Sequence, residues 1–277
     1  MARGLETYGS MEGSAPLDVM PLSVLFSLLV LANLFFAECG FRVGRLRARQ
    51  TLRESDAILS TIVTVEFGLL AFLLAFSFDI VSSRFDLRRR TVLDEANAIS
   101  TAYLRAAVLP DVQRVSIRRM LRDYVDVRLP STMRTTSTDQ LLQRSRQIQQ
   151  QLWAEAVIAA EHDPRSVPTG LFIASLNNVI DLHATRVMAS LRNRMPLPVW
   201  MVLFVVGVLS FFTIGYHAGL TKTSRSPTTF VLALIFGAVF CLVADLDRPT
   251  EGSLRVSQEP MIEVRTMMDS PPAADTR

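Results

Sequence analysis

A carboxylate inside an apolar run is the first residue of this chain that could do chemistry. Glu66 stands in Ile58–Phe78, ILSTIVTVEFGLLAFLLAFSF, whose other polar members are hydroxyls. A charged side chain at the centre of a membrane span costs about 2.5–3.5 kcal/mol on insertion scales, so it faces a bundle interior or a water path. Two readings follow: a hydrogen-bonded packing residue, or a residue of an ion or proton path. Helical spacing places Leu70, Leu73 and Ser77 on the face of Glu66, and Val63, Phe67, Leu70 and Leu74 on the neighbouring one. Ser60, Thr61 and Thr64 gather with Glu66 in one half of the run, and the other half is apolar.

A second group of charges flanks the apolar runs. Arg84, Arg88, Arg89 and Arg90 follow the Glu66 run, with Asp94 and Glu95 one turn further on. Asp245, Asp247 and Arg248 follow the last apolar run. Two carboxylates two residues apart could bind a divalent cation. Ion pairing with the arginine cluster is the favoured reading, giving an exit network of Arg84, Arg88, Asp94, Glu95, Asp245, Asp247 and Arg248. Asp94 and Glu95 are expected to pair with arginines rather than hold metal. The histidines, His162, His183 and His217, have no Cys, His or carboxylate at ligand spacing; His183 reads as a satisfied core histidine. Cys39 and Cys241 read as small buried hydrophobes. No Walker A, GxGxxG, HExxH or GxSxG motif occurs. Hence neither an enzyme nor a cofactor is expected.

These residues need a membrane frame. The chain has 277 residues, 49% of them hydrophobic, and the apolar residues collect in four blocks. Leu22–Ala37 is short for a span; its acidic flank and the poor cleavage site AECG favour a retained helix over a signal peptide. Ile58–Phe78, Leu197–Ala218 and Thr228–Ala244 are the other three. Trp200 and Tyr216 lie near the ends of the third, where interfacial aromatics belong. Gly215 and Gly219 form a weak close-packing signal there. The organisation expected is a disordered tail at 1–20, two spans with a basic loop at 21–83, a helical aqueous domain at 84–195, two spans at 196–249, and a tail at 250–277 that is disordered from Met261.

The 84–195 region holds 17 arginines against 11 acidic residues. Its periodicity is helical, with no alternating strand pattern. The Glu66 run continues into it without a helix breaker until Pro110, burying Val92, Ala96, Ile99 and Tyr103. Asp111–Leu129 is a helix with Val115, Met120, Tyr124 and Val127 inward. A capping box, Ser137 with Gln140, opens Asp139–Glu161, with Leu141, Leu142, Ile148, Leu152 and Val157 inward and QIQQQ solvated. Thr169–Arg194 carries a stripe of Phe172, Leu176, Val179, His183 and Val187. The fold class expected is all-α, an integral membrane protein with four transmembrane helices.

Four segments carry a resemblance: SRFDLRRRTVLDEANAISTAYLRA from Ser83, YVDVRLP from Tyr124, RNRMPLPVW from Arg192, and DLDRPTEGSLRVSQEPM from Asp245. Together they resemble the bacterial bestrophin-like domain family, over roughly Leu22 to Met261. The resemblance implies an oligomeric channel whose pore is constricted by apolar side chains of the second span, which makes Glu66, Phe67, Leu70 and Leu74 the candidate pore residues. A pore-facing Glu66 would favour cations, a departure from the anion selectivity associated with bestrophins. Bestrophins also use acidic residues after the fourth span for calcium, but their long acidic cluster is absent here.

Basic residues near the span ends number ten on one side and seven on the other. The positive-inside rule therefore places 84–195 and both termini in the cytoplasm, in the inner membrane, and the resemblance agrees. The partners expected are membrane lipid, further copies of the chain and an ion, with no nucleic acid. The first functional reading is an oligomeric ion channel. The alternative is a non-conducting membrane scaffold or sensor whose helical domain binds a partner protein.

Overall fold

The computed structural model describes residues 20–48, 56–129, 132, 136–192, 194–221, 227–248 and 254–270. The expected tail at 1–20, apart from Met20, lies outside them. So do Arg49, Arg53, Lys222, Arg225 and half of the Ser/Thr loop at 131–138. Every regular element among the described residues is helical. They are α1 (Leu22–Arg47), α2 (Asp56–Ala106), α3 (Asp111–Asp126), α4 (Thr138–His162), α5 (Val167–Val187), α6 (Leu197–Leu220), α7 (Pro227–Asp247) and α8 (Glu259–Asp269). Four of them, α1, α2, α6 and α7, are long and apolar enough to cross a membrane. The chain is an all-α membrane protein, as its blocks of apolar residues predict.

The helix ends follow the local signals. Pro21, Pro110 and Pro196 precede α1, α3 and α6, and a proline lacks the N–H that a first turn would leave unbonded. Ser137 and Gln140 make the expected capping box on α4. The Ser166 hydroxyl caps α5 by accepting from the Thr169 N–H. The expected 169–194 helix begins earlier, and from Met188 to Arg192 its bonding widens to a π-turn.

The chain divides into two units. The first comprises Met1–Arg84 and Arg194–Arg255, and the second Phe85–Asn193 and Val256–Arg277. The first is organised by α1 and α6, which run side by side in the same direction. A methyl group on Gly40 or Gly44 would collide with the carbonyl oxygen of Phe212 or Tyr216, and one on Gly215 or Gly219 with that of Ala37 or Phe41. Two glycine pairs at four-residue spacing thus let two backbones touch. In lipid such contact replaces the hydrophobic effect as the force holding helices together. An aromatic row crosses the unit through Phe67–Phe211, Phe211–Phe236, Phe236–Phe240 and Trp200–Phe240, with ring centres 5.2–6.0 Å apart. Trp200, in the first turn of α6, is buried against Phe240 of α7.

The second unit closes around Val92, Ala96, Ile99 and Tyr103 of α2, the face read from the sequence. Two inward faces need correction. On α3 the buried positions are Ile117, Leu121, Tyr124 and Val125, and Val115 is exposed. On α4 Ala156 and Ala159 pack inward, and Val157 is exposed. Each helix keeps a 3.6-residue stripe but turns to the phase its neighbours select, with small alanines where helices approach closely. The expectation of disorder from Met261 is also corrected. Residues 259–269 form α8, which drives Met261, Val264 and Met268 into this core. Its other holds are Arg265 to Asp126 at 2.6 Å and the Tyr103 hydroxyl and Arg122 guanidinium donating to the Met268 carbonyl.

Candidate functional site

The membrane half of α2 presents two unlike faces. Leu70 and Leu74 are buried within the chain, and Glu66 and Phe67 are half-buried. Phe67 meets Phe211 of α6 edge-on at 5.7 Å. Glu66 Oε1 lies 3.3 Å from the Thr213 hydroxyl, but that hydroxyl has one proton and the Leu209 carbonyl is nearer, at 3.0 Å. The four candidate pore residues are thus brought to the α6 side of α2. The opposite face carries Ile58, Ile62, Val65, Leu69, Phe72 and Phe76, all exposed, at alternating spacings of four and three. Phe72 and Phe76 stack on each other at 6.4 Å. Ser60, Thr61 and Thr64 are exposed on the same half-turns and return their hydroxyl protons to backbone carbonyls three or four residues back.

The charges read as an exit network are split. Arg84 reaches Asp247 at 3.9 Å, and Asp247 also accepts the Met195 N–H at 3.1 Å. Asp245 accepts the Leu254 N–H at 3.3 Å, and Arg248 donates to the Met20 carbonyl at 2.6 Å. These bonds tie the end of α7 to the segments that begin α1 and α6. Among the described residues no cluster of three or more Asp, Glu, His or Cys could hold a metal ion. Arg88 is buried with its guanidinium over the Phe85 ring. Asp94, exposed, lines a groove of about 530 Å³ between α2 and α5 with Asn97, Arg105, Ser175 and Asn178.

Glu95 belongs to neither group. It is fully buried, and its arginines come from α5 and from the turn after α3 rather than from Arg88–Arg90. Arg186 of α5 donates to its Oε2 at 2.6 Å, and the Tyr124 hydroxyl donates to its Oε1 at 2.8 Å. Arg128 stands 3.5 Å from Oε1 and donates to the Tyr124 oxygen at 2.8 Å. Arg128 also donates to Nδ1 of His183, and Gln149 of α4 to the Tyr124 oxygen at 3.2 Å. Arg186 extends the network to Gln258 at 2.8 Å. Burial raises the Glu95 carboxyl's pKa, but Arg128, His183 and Arg186 outweigh it and hold the group well below the usual carboxylate range. Burial pushes the Tyr124 hydroxyl upward, so it stays a donor. The site holds one carboxylate between two guanidiniums in low dielectric, an arrangement that fixes geometry rather than exposing a reactive group.

Comparison with known proteins agrees with this frame. The Bestrophin-like domain matches residues 30–261. The chain belongs to the Bestrophin-like domain family. A search of the curated proteins finds no match. Among solved structures, a point variant of a bacterial bestrophin homologue from Klebsiella pneumoniae aligns at TM-score 0.63 and 13% identity, covering 87% of this chain and 96% of that one. A second variant of that homologue aligns at 0.62 and 14%, covering 89% and 97%. A structure described as a membrane protein aligns at 0.60 and 13%, covering 91% and 100%. At such identities the likeness is one of fold.

Three of the four Bestrophin-like segments prove to be joined in space. The segment from Ser83 brings Glu95, YVDVRLP brings Tyr124 and Arg128, and the segment ending in SQEPM brings Gln258. Sequence reasoning missed Tyr124, Arg128, Gln149, Arg186 and Gln258 as one site and read QIQQQ as solvated, although Gln149 is buried. The available signal was that three family segments each carry a polar residue beside apolar positions that the helical periodicity turns inward.

Proposed function

We propose that this chain is one subunit of a homo-oligomeric ion channel in the bacterial inner membrane, with the exposed face of α2 turned to the pore axis. One observation carries the reading. The chain itself buries only 17% of the most apolar stretch of α2, against 28, 33 and 44% in α1, α6 and α7. A span so poorly covered by its own chain is suited to a symmetric ring, where copies supply the neighbours. Its exposed apolar spacing of four and three is the seam spacing of helices that associate around an axis. The family resemblance points the same way. In this arrangement Val65, Leu69, Phe72 and Phe76 narrow the path. Glu66 flanks that strip, and Phe67, Leu70 and Leu74 back it. Glu66, short of donors at Thr213, is the charge nearest the path and biases it toward cations.

Flux of sodium and chloride from proteoliposomes tests this. Wild type is expected to conduct. Glu66→Gln keeps the shape and removes the charge, and should lower the sodium-to-chloride permeability ratio by about twofold or more. No flux from a folded oligomer would end the channel reading in favour of a membrane scaffold. A ratio unmoved by the substitution would remove Glu66 from the path and keep the channel.

The same reading places residues 84–195 in the cytoplasm, on the basic-residue count. A fluorescent reporter inserted at Thr136 should glow and an alkaline phosphatase there should be inactive. The reverse pair of results would overturn the orientation.

A further inference from the structure

Proton counting in the buried network leaves His183 no freedom. Arg128 Nη2 carries two protons. One goes to the Tyr124 oxygen at 2.8 Å, and the other goes to His183 Nδ1. Nδ1 must therefore be bare and the imidazole neutral, with its proton on Nε2. The Tyr124 oxygen is equally committed: it donates to Glu95 and accepts from Arg128 and Gln149. Yet Glu95 Oε1 stands only 3.7 Å from the same Nδ1. The imidazole can thus serve two partners, as an acceptor for Arg128 when neutral or as a donor to Glu95 when charged.

We propose that His183 is an acid-operated switch of the helical unit: a proton taken from water onto Nδ1 ends the bond from Arg128 and moves the imidazolium onto Glu95 Oε1, displacing Arg128. The charged and titratable groups facing His183 are Glu95 from α2, Tyr124 from α3, Arg128 just beyond α3, and Arg186 one turn along α5. Gln149 of α4 and Gln258 are neutral. With His183 neutral, one carboxylate already faces two guanidiniums. A third cation must expel one of the three, and Arg128 is the one held least. Arg186 keeps its 2.6 Å bond to Glu95 and its bond to Gln258, whereas Arg128 is 3.5 Å from the carboxylate. Arg128 lies two residues past the end of α3, its N–H bonded to the Val125 carbonyl at 2.7 Å, so its release frees the last turn of that helix.

Burial lowers the pKa of His183, and Arg128 and Arg186 add to that against the pull of Glu95, so the net shift is downward from 6.5. The sign follows from this. A histidine harder to protonate in the closed state binds fewer protons there than in the opened one. The closed state is therefore fully favoured above pH 6.5 and loses ground as pH falls through the lowered value.

Hydrogen exchange of the detergent-solubilised full chain at pH 8.0 and 5.5, corrected for intrinsic exchange, reads the opening. Protection over residues 121–129 should fall about tenfold at pH 5.5 in wild type, the equivalent of one pH unit of proton coupling. His183→Gln, whose amide oxygen can accept from Arg128 but takes up no proton, should remove the pH response. A wild-type protein with equal protection at both pH values, or a His183→Gln protein with the full tenfold loss, would overturn the switch. Nitrogen-15 histidine NMR on wild type gives an answer even if the variant fails to fold. His183 should show a bare Nδ1 at pH 8.0 and a charged ring on acidification, and a proton on Nδ1 at pH 8.0 would refute the assignment.

Discussion

Glu95→Ala removes the stability of the helical unit, while Asp94→Ala, one residue away, leaves it almost untouched. Glu95 is fully buried and answers two arginines that are themselves buried. Deleting one partner of such a group strands uncompensated charge at a cost of about 3–5 kcal/mol. Asp94 is exposed, and surface substitutions of that kind stay within about 0.5 kcal/mol. The expected result is a loss of more than about 10 °C in the melting midpoint for Glu95→Ala, given several degrees per kcal/mol in a unit of this size. Thermal unfolding of both variants in detergent decides it, and similar midpoints would remove the network from its structural role. The pH sign is fixed as well. Because the Glu95 carboxyl is held below its ordinary 4.5, its contribution is complete above that value and is lost as pH falls below it.

Gly40→Leu or Gly215→Leu should prevent the membrane unit from assembling. The atoms a side chain would meet there are the carbonyls of Phe212 and Ala37, backbone that cannot swing aside. Overpacking costs typically about 1–3 kcal/mol even where side chains can yield, so a leucine against backbone belongs at or above the top of that range. Fluorescence-detected size exclusion should show aggregate in place of the folded peak. Gly68→Ala is the control, because nothing lies within 4 Å of where its methyl would sit, and alanine favours a helix by about 1 kcal/mol over glycine. A sharp, unshifted peak for both leucine variants would mean that α1 and α6 do not hold this unit together.

What the sequence determined by itself was local. Four apolar runs, prolines before helices, the Ser137–Gln140 box and the unbroken passage from Ile58 to Pro110 are short-range signals, and each became the expected element. Membrane spans are legible because lipid forces every backbone group to bond within its own helix. Helix phase was less secure. Val115 and Val157 are as apolar as the residues that displaced them, and only the neighbours packed against α3 and α4 chose the buried stripe. Partners distant in sequence lay wholly in the tertiary structure. Glu95 had three arginines within one or two turns of its own helix and took Arg128 and Arg186 instead, 33 and 91 positions away. An exposed pair along one helix gains under about 1 kcal/mol, whereas a buried carboxylate must be matched by whatever the folded core brings within hydrogen-bond reach. For the same reason Gly40 and Gly44 were silent in sequence: a glycine pair gains meaning only from the second backbone lying against it.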